Sequence, residues 1–134
     1  MLAGGCRCGA IRYEAEGEVW HHSICHCRDC QLGSGAPMVA WIGFSTANFR
    51  VTQGVPSRFS GDGKAERFFC GNCGTPLYYL NEPLLPGKVD VQTVTLDDPD
   101  ALAPNHQVQV ADRRAWMAHL GELPEFERFP GPAE

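Results

Sequence analysis

Residues 10–15 alternate apolar and polar side chains, the period of a half-buried strand. Residues 19–24 predict a second strand that runs directly into Cys25. Residues 37–44 are apolar and follow the turn-forming Gly33-Ser34-Gly35, which predicts a third. Shorter strands are expected at 49–52 and 57–60. Ser60-Gly61-Asp62-Gly63-Lys64 reads as a hairpin connection, because its glycines can take a positive φ. The return strand, 66–69, ends on Cys70, and further strand signals follow at 77–80 and 88–96. Helical signals are few. Asp97-Asp98-Pro99-Asp100 ahead of Ala101-Leu102 suits a short helical turn, and 113–120 suits two turns closed by Gly121. The stretch 123–134 holds three prolines and predicts an ordered arm that frays at its end. The pattern is mainly β with one or two short helices, in a single domain spanning 1–134.

Composition narrows the function classes. The chain of 134 residues is 43% hydrophobic, enough for one modest core. Its net charge of -5 counts against a nucleic-acid partner, since phosphate-binding proteins set excess cations against the polyanion. No apolar run reaches membrane-spanning length, and no basic flank with an apolar core opens the chain. A cytoplasmic protein without a membrane partner is the expectation.

The cysteines change the picture most. There are 7, an odd number that disulfides cannot fully pair, and reducing cytosol would keep such pairs open. All fall in three short clusters with metal-ligand spacing. Cys6-Arg7-Cys8 is a C-x-C pair, and on an extended strand residues two apart share a face. Cys70-Gly71-Asn72-Cys73-Gly74 is a C-x-x-C knuckle whose glycines permit the tight wrap around an ion. Two such pairs supply the four thiolates of a closed structural zinc site.

Cys25-His26-Cys27-Arg28-Asp29-Cys30 is the third cluster. Cys25 and Cys27 face one way in an extended segment, and a turn can bring Cys30 back to them. Three thiolates leave a fourth position open, as catalytic zinc sites do. Spacing alone also permits a closed site of Cys25, Cys27, Cys70 and Cys73. Zinc with three thiolates carries a net charge of about -1, which makes it a poor generator of hydroxide. Such a site is better suited to holding an incoming thiol as thiolate.

Other polar residues read as support. His26 points away from its neighbours' face and suits a buried role beside the cluster. One of His21 and His22 must face inward as a hydrogen-bonded structural histidine. His106 is best placed outside the clusters for a pocket, although packing is the expectation. Arg7, Arg12 and Arg28 lie near the clusters and could neutralise an anionic substrate or simply face solvent. Trp20, Trp41 and Trp116 are expected to pack.

With the clusters placed, the chain resembles the family of glutathione-dependent formaldehyde-activating enzymes, which includes centromere protein V. The resemblance rests on Gly5-Cys6-Arg7-Cys8-Gly9, on Cys25-His26-Cys27-Arg28-Asp29-Cys30 with Gly33-Ser34-Gly35, and on Arg67-Phe68-Phe69-Cys70-Gly71-Asn72-Cys73-Gly74-Thr75. Pro104-Asn105-His106, Trp116 and Leu123-Pro124-Glu125-Phe126 add to it, so that it runs from about Gly4 to about Pro130. It implies an Mss4-like fold of twisted β-sheets stapled by zinc. It also implies two zinc ions: Cys6, Cys8, Cys70 and Cys73 would hold the structural one, and Cys25, Cys27 and Cys30 the catalytic one. The implied activity is a carbon–sulfur lyase of the S-hydroxymethylglutathione synthase type, acting on glutathione and formaldehyde or on a related thiol–aldehyde adduct. Two readings compete with it. A noncatalytic zinc-binding interaction module would have no use for an open three-ligand site, and a thiol redox sensor would use Cys25, Cys27 and Cys30 without metal.

Overall fold

Ile42 and Phe44 join one cluster of buried side chains and Val39 and Trp41 another, and this division organises the molecule. The computed structural model describes residues 1–131. Its strands are β1 (Leu2–Gly5), β2 (Arg12–Ala15), β3 (His21–Cys25), β4 (Val39–Ser45), β5 (Phe49–Gln53), β6 (Ser57–Phe59), β7 (Glu66–Phe69), β8 (Pro76–Leu80), β9 (Lys88–Gln92) and β10 (His106–Val108). One α-helix, α1 (Arg28–Ser34), lies between β3 and β4. The architecture is mainly β, as the pattern predicted.

Seven strands form a sheet in the order β10-β3-β4-β9-β8-β7-β6, and β1-β2-β5 form a second sheet of three. Neighbours are antiparallel except β10, which runs parallel to β3. The main core holds Tyr13 and Ala15 of β2, Ile42 and Phe44 of β4, Leu77 of β8, and Val89 and Val91 of β9. A Cβ on Gly4 would collide with the Tyr13 ring, so this glycine lets β1 lie close against it. The Tyr13 hydroxyl is satisfied by Thr95 Oγ1 at 2.7 Å.

The other face of the large sheet carries the chemistry. Register aligns His21 with Gly43, Gly43 with Asp90, Asp90 with Tyr79, Tyr79 with Arg67 and Arg67 with Phe59, one row across β3, β4, β9, β8, β7 and β6. Trp41 sits in the adjacent row between Ser23 and Gln92. Val39 and Trp41 pack with Cys25 and Cys30.

Several elements differ from expectation. β1 is a strand despite two glycines, because it pairs with β2 over its whole length. The segment after Cys27 is a helix where a turn was expected. The strand at 88–96 stops at Gln92 and gives way to a 3-10 turn over Thr93–Thr95, where the Thr95 hydroxyl donates to the Gln92 carbonyl at 2.7 Å. Residues 97–102 form no helix; a single Ala101 N–H to Asp98 carbonyl bond closes a turn. Ala115–Glu122 is 3-10 helix interrupted at His119. Trp116, expected to pack, is 57% exposed. The end of the predicted arm, residues 132–134, lies outside the described residues.

Candidate functional site

The seven cysteine sulfurs gather into two groups. Those of Cys6, Cys8, Cys70 and Cys73 lie within 4.8 Å of one another, as do those of Cys25, Cys27 and Cys30. The alternative of Cys25 and Cys27 with Cys70 and Cys73 is therefore not what the fold builds. Both groups could hold a metal ion.

The four-sulfur group joins the loop after β1 to the knuckle between β7 and β8. Cys6 and Cys8 Sγ are 3.6 Å apart, and Cys8 and Cys70 Sγ 3.8 Å. A tetrahedron with Zn–S of about 2.3 Å has edges of about 3.8 Å, so the donor set fits zinc. Donors also face the sulfurs: the Ile11 amide reaches Cys6 Sγ at 3.2 Å, the Cys73 amide reaches Cys70 Sγ at 3.4 Å, and Asn72 Nδ2 reaches Cys8 Sγ at 3.3 Å. The Thr75 hydroxyl and amide pull the Cys73 thiol down to about 5. These are the surroundings of thiolates.

The three-sulfur group forms where β3 meets α1. β3 ends on Cys25, and Cys27 caps the helix, its Sγ accepting from the Cys30 amide at 3.3 Å. Gly35, at φ 68°, closes the other end of α1. The cap places Cys30 one turn into the helix and returns its sulfur toward Cys25. A hydrogen bond from Cys25 and the adjacent Arg67 guanidinium draw the Cys30 thiol down to about 5, while the same Cys25–Cys30 bond and burial push the Cys25 thiol up. Arg67 Nη2 lies 3.6 Å from Cys30 Sγ and 2.6 Å from Asp29 Oδ2, and its guanidinium stands over the Tyr79 ring. Soft and converging, this donor set also suits zinc.

The residues around the group settle the remaining expectations. His26 is 1% exposed, and its Nε2 bonds Gln107 Oε1 at 2.7 Å, so it braces β10 against the cysteine segment. Gln31 Nε2 secures the same corner through the His26 carbonyl at 2.7 Å and the Asp112 carbonyl at 3.0 Å. His22 is the inward histidine, bonded through Nε2 to Thr93 Oγ1 at 2.9 Å. His106 does not pack; it is exposed and lines the cleft in front of the sulfurs. Arg12 is engaged by Asp97 through both terminal guanidinium nitrogens, Arg7 is exposed, and Arg28 reaches Gln31 Oε1 at 3.4 Å.

That cleft has a volume of about 390 Å³. Besides Cys25, Cys27 and Cys30, its walls include His21, Trp41, Arg67, Tyr79 and Asp90. His21 Nε2 is hydrogen-bonded to Asp90 Oδ1, and its Nδ1 meets Ser23 Oγ at 3.2 Å. Arg67, Tyr79 and Asp90 were missed as site residues in the sequence. Their signal is present, as polar residues in apolar strands, but only cross-strand register shows that they share one row. Among the described residues, no helix is long and apolar enough to cross a membrane.

Comparisons with known proteins bear on the fold and the family. A solved crystal structure of a Rhodobacter sphaeroides protein is 23% identical and superposes with a TM-score of 0.64, over 79% of this chain and 99% of that one, a likeness of fold. A protein of Schizosaccharomyces pombe described as an uncharacterized lyase is 34% identical over 76 residues, 57% of this chain and 55% of that protein. The chain thus spans about half the length of this curated relative. The model of the family described as glutathione-dependent formaldehyde-activating enzyme matches residues 1–112, which include both cysteine groups and β10. The chain belongs to the family of glutathione-dependent formaldehyde-activating enzymes.

Proposed function

We propose that the chain is a zinc-dependent carbon–sulfur lyase that joins glutathione and formaldehyde to S-hydroxymethylglutathione, and cleaves that adduct in reverse. The observation that carries this reading is the convergence of the Cys25, Cys27 and Cys30 sulfurs at a cleft that also holds a histidine–carboxylate pair and a guanidinium. Family membership and the lyase named among its relatives support it. In this reading Cys6, Cys8, Cys70 and Cys73 hold a structural zinc, and Cys25, Cys27 and Cys30 hold the catalytic one. Bound there, zinc supplies a position for a thiolate and positive charge beside the carbonyl oxygen.

The chain's own residues then have defined tasks. Carbon–sulfur bond formation transfers the thiol proton to the carbonyl oxygen, and cleavage returns it. Asp90 Oδ2 has no hydrogen-bond partner among the described residues, whereas Oδ1 is fixed by His21 Nε2. Asp90 therefore accepts the thiol proton at Oδ2 and delivers it to the oxygen, oriented by His21, which Ser23 in turn orients. Arg67 lies beside Cys30 Sγ and offsets negative charge on the cysteine group. Trp41 and Tyr79 form an apolar wall that holds the two reactants together, and proximity supplies much of the rate gain.

Two-dimensional exchange NMR on glutathione, formaldehyde and their adduct tests the reading. Exchange accelerated by the zinc-loaded chain, and no longer by Cys27→Ser, is the expected result. No acceleration by the wild-type chain would overturn it.

A further inference from the structure

A second cleft, of about 600 Å³, opens beside the first. The two share Asp29, Trp41 and Arg67. The second is lined chiefly by apolar side chains, among them Phe59, Phe69, Pro76 and Leu32 of α1. Leu32 is 68% exposed and Phe59 61%. Phe59 ends the register row that begins at His21 and passes through Asp90 and Arg67, so the apolar cleft continues the line of the reactive groups.

The charges point the same way. Among the described residues lining either cleft, Arg67 carries the single guanidinium, no lysine is present, and Arg67 is already paired with Asp29. Asp90 adds a carboxylate. Beyond the paired Arg67, the lining of the second cleft offers no cation, so what it adds to binding is chiefly apolar contact. An apolar group finds a lined cleft next to the sulfurs, and each methylene buried there strengthens binding roughly four-fold.

We propose that this second cleft seats an alkyl or aryl substituent of the sulfur-centred substrate, so that the chain acts on thiol–aldehyde adducts bearing an apolar group. The proposal rests on the lyase reading for its chemistry and on the cleft alone for its choice of substituent. The substituent can belong to the thiol or to the aldehyde, and the test separates them.

Amide NMR shifts of the zinc-loaded chain are followed during titration with 2-phenylethanethiol and with 2-mercaptoethanol. The phenyl thiol is expected to bind at least ten-fold more tightly and to move the Leu32, Gly33 and Trp41 resonances. In Leu32→Glu/Phe59→Glu, with both substitutions at exposed positions, this preference should shrink to two-fold or less. Equal affinities in the wild-type chain, or shifts confined to residues 25–30, would overturn the proposal. The adduct of glutathione with hexanal is then compared with that of formaldehyde by exchange NMR. Greater acceleration with hexanal places the substituent on the aldehyde; equal acceleration with the thiol preference intact places it on the thiol. A retained thiol preference with no acceleration of either aldehyde supports the apolar seat and overturns the lyase reading.

Discussion

His21 and Asp90 meet across a strand that contributes no side chain between them. Gly43 of β4 is in register with both, and a Cβ there would collide with the His21 ring and the Trp20 indole. The missing side chain lets an imidazole on β3 reach a carboxylate on β9 over the top of β4. Gly43→Ala should therefore part the pair. Overpacking of this kind costs about 1–3 kcal/mol, and exchange of the thiol adduct should slow about ten-fold or more. Urea unfolding and exchange NMR on the same variant check both effects. His21→Gln should reproduce the rate loss with a smaller loss of stability; unchanged exchange in both variants would remove the pair from the chemistry.

The two cysteine groups should answer differently to substitution. Cys70 is buried in the main core, and its group ties the chain's first strand to the β7–β8 knuckle. Cys70→Ser should unfold or aggregate, because a closed thiolate site contributes folding free energy directly. Cys27→Ser should give a folded protein retaining one zinc per chain. Zinc content by mass spectrometry of the native protein and circular dichroism distinguish the two. Equal zinc loss with equal folding would contradict the division of roles.

Acid should destabilise the fold through His22. Burial, reinforced by the neighbouring His21, holds its imidazole below the ordinary 6.5. A depressed value means the folded state binds the proton more weakly than the unfolded state. Its contribution is therefore complete above pH 6.5 and is lost as pH falls through the folded-state value. The urea midpoint should drop as the pH falls below 6.5, and less so in His22→Gln. Parallel curves for the two proteins would assign the slope to other groups.

Arg67 should matter for rate more than for stability. Its partner Asp29 is 73% exposed, so solvent screens the pair although the guanidinium itself is only 16% exposed. Arg67→Met keeps the stem over Tyr79 and removes the charge beside Cys30. Thermal unfolding should change little, while adduct exchange slows about ten-fold, a difference of about 1.4 kcal/mol in the barrier.

The clusters were legible because metal binding writes a short-range pattern. Cys70, Cys73 and their glycines announce a knuckle whatever the rest of the chain does. The row from His21 to Phe59 was not legible, because it exists only once six strands are in register. α1 was hidden for a local reason: its N-cap is a cysteine, and Gly33-Ser34-Gly35 at its end has the composition of a turn. Trp116 misled because aromatic residues usually pack, and here the 3-10 segment that carries it has no buried residue. β10 is three residues long and takes its strand character from β3 alone.

The parallel pairing of β10 with β3 also has a consequence for biosynthesis. Val108 supports the Cys25–Cys30 cluster, and Gln107 holds His26 from 81 positions further along the chain. A chain leaving the ribosome presents Cys25, Cys27 and Cys30 long before the strand that walls them in has been translated. During that interval these thiols stand open to oxidants and to stray metal, and pairing at such long range is slow to form. Early capture of an ion by the three sulfurs would protect the nascent chain until β10 arrives.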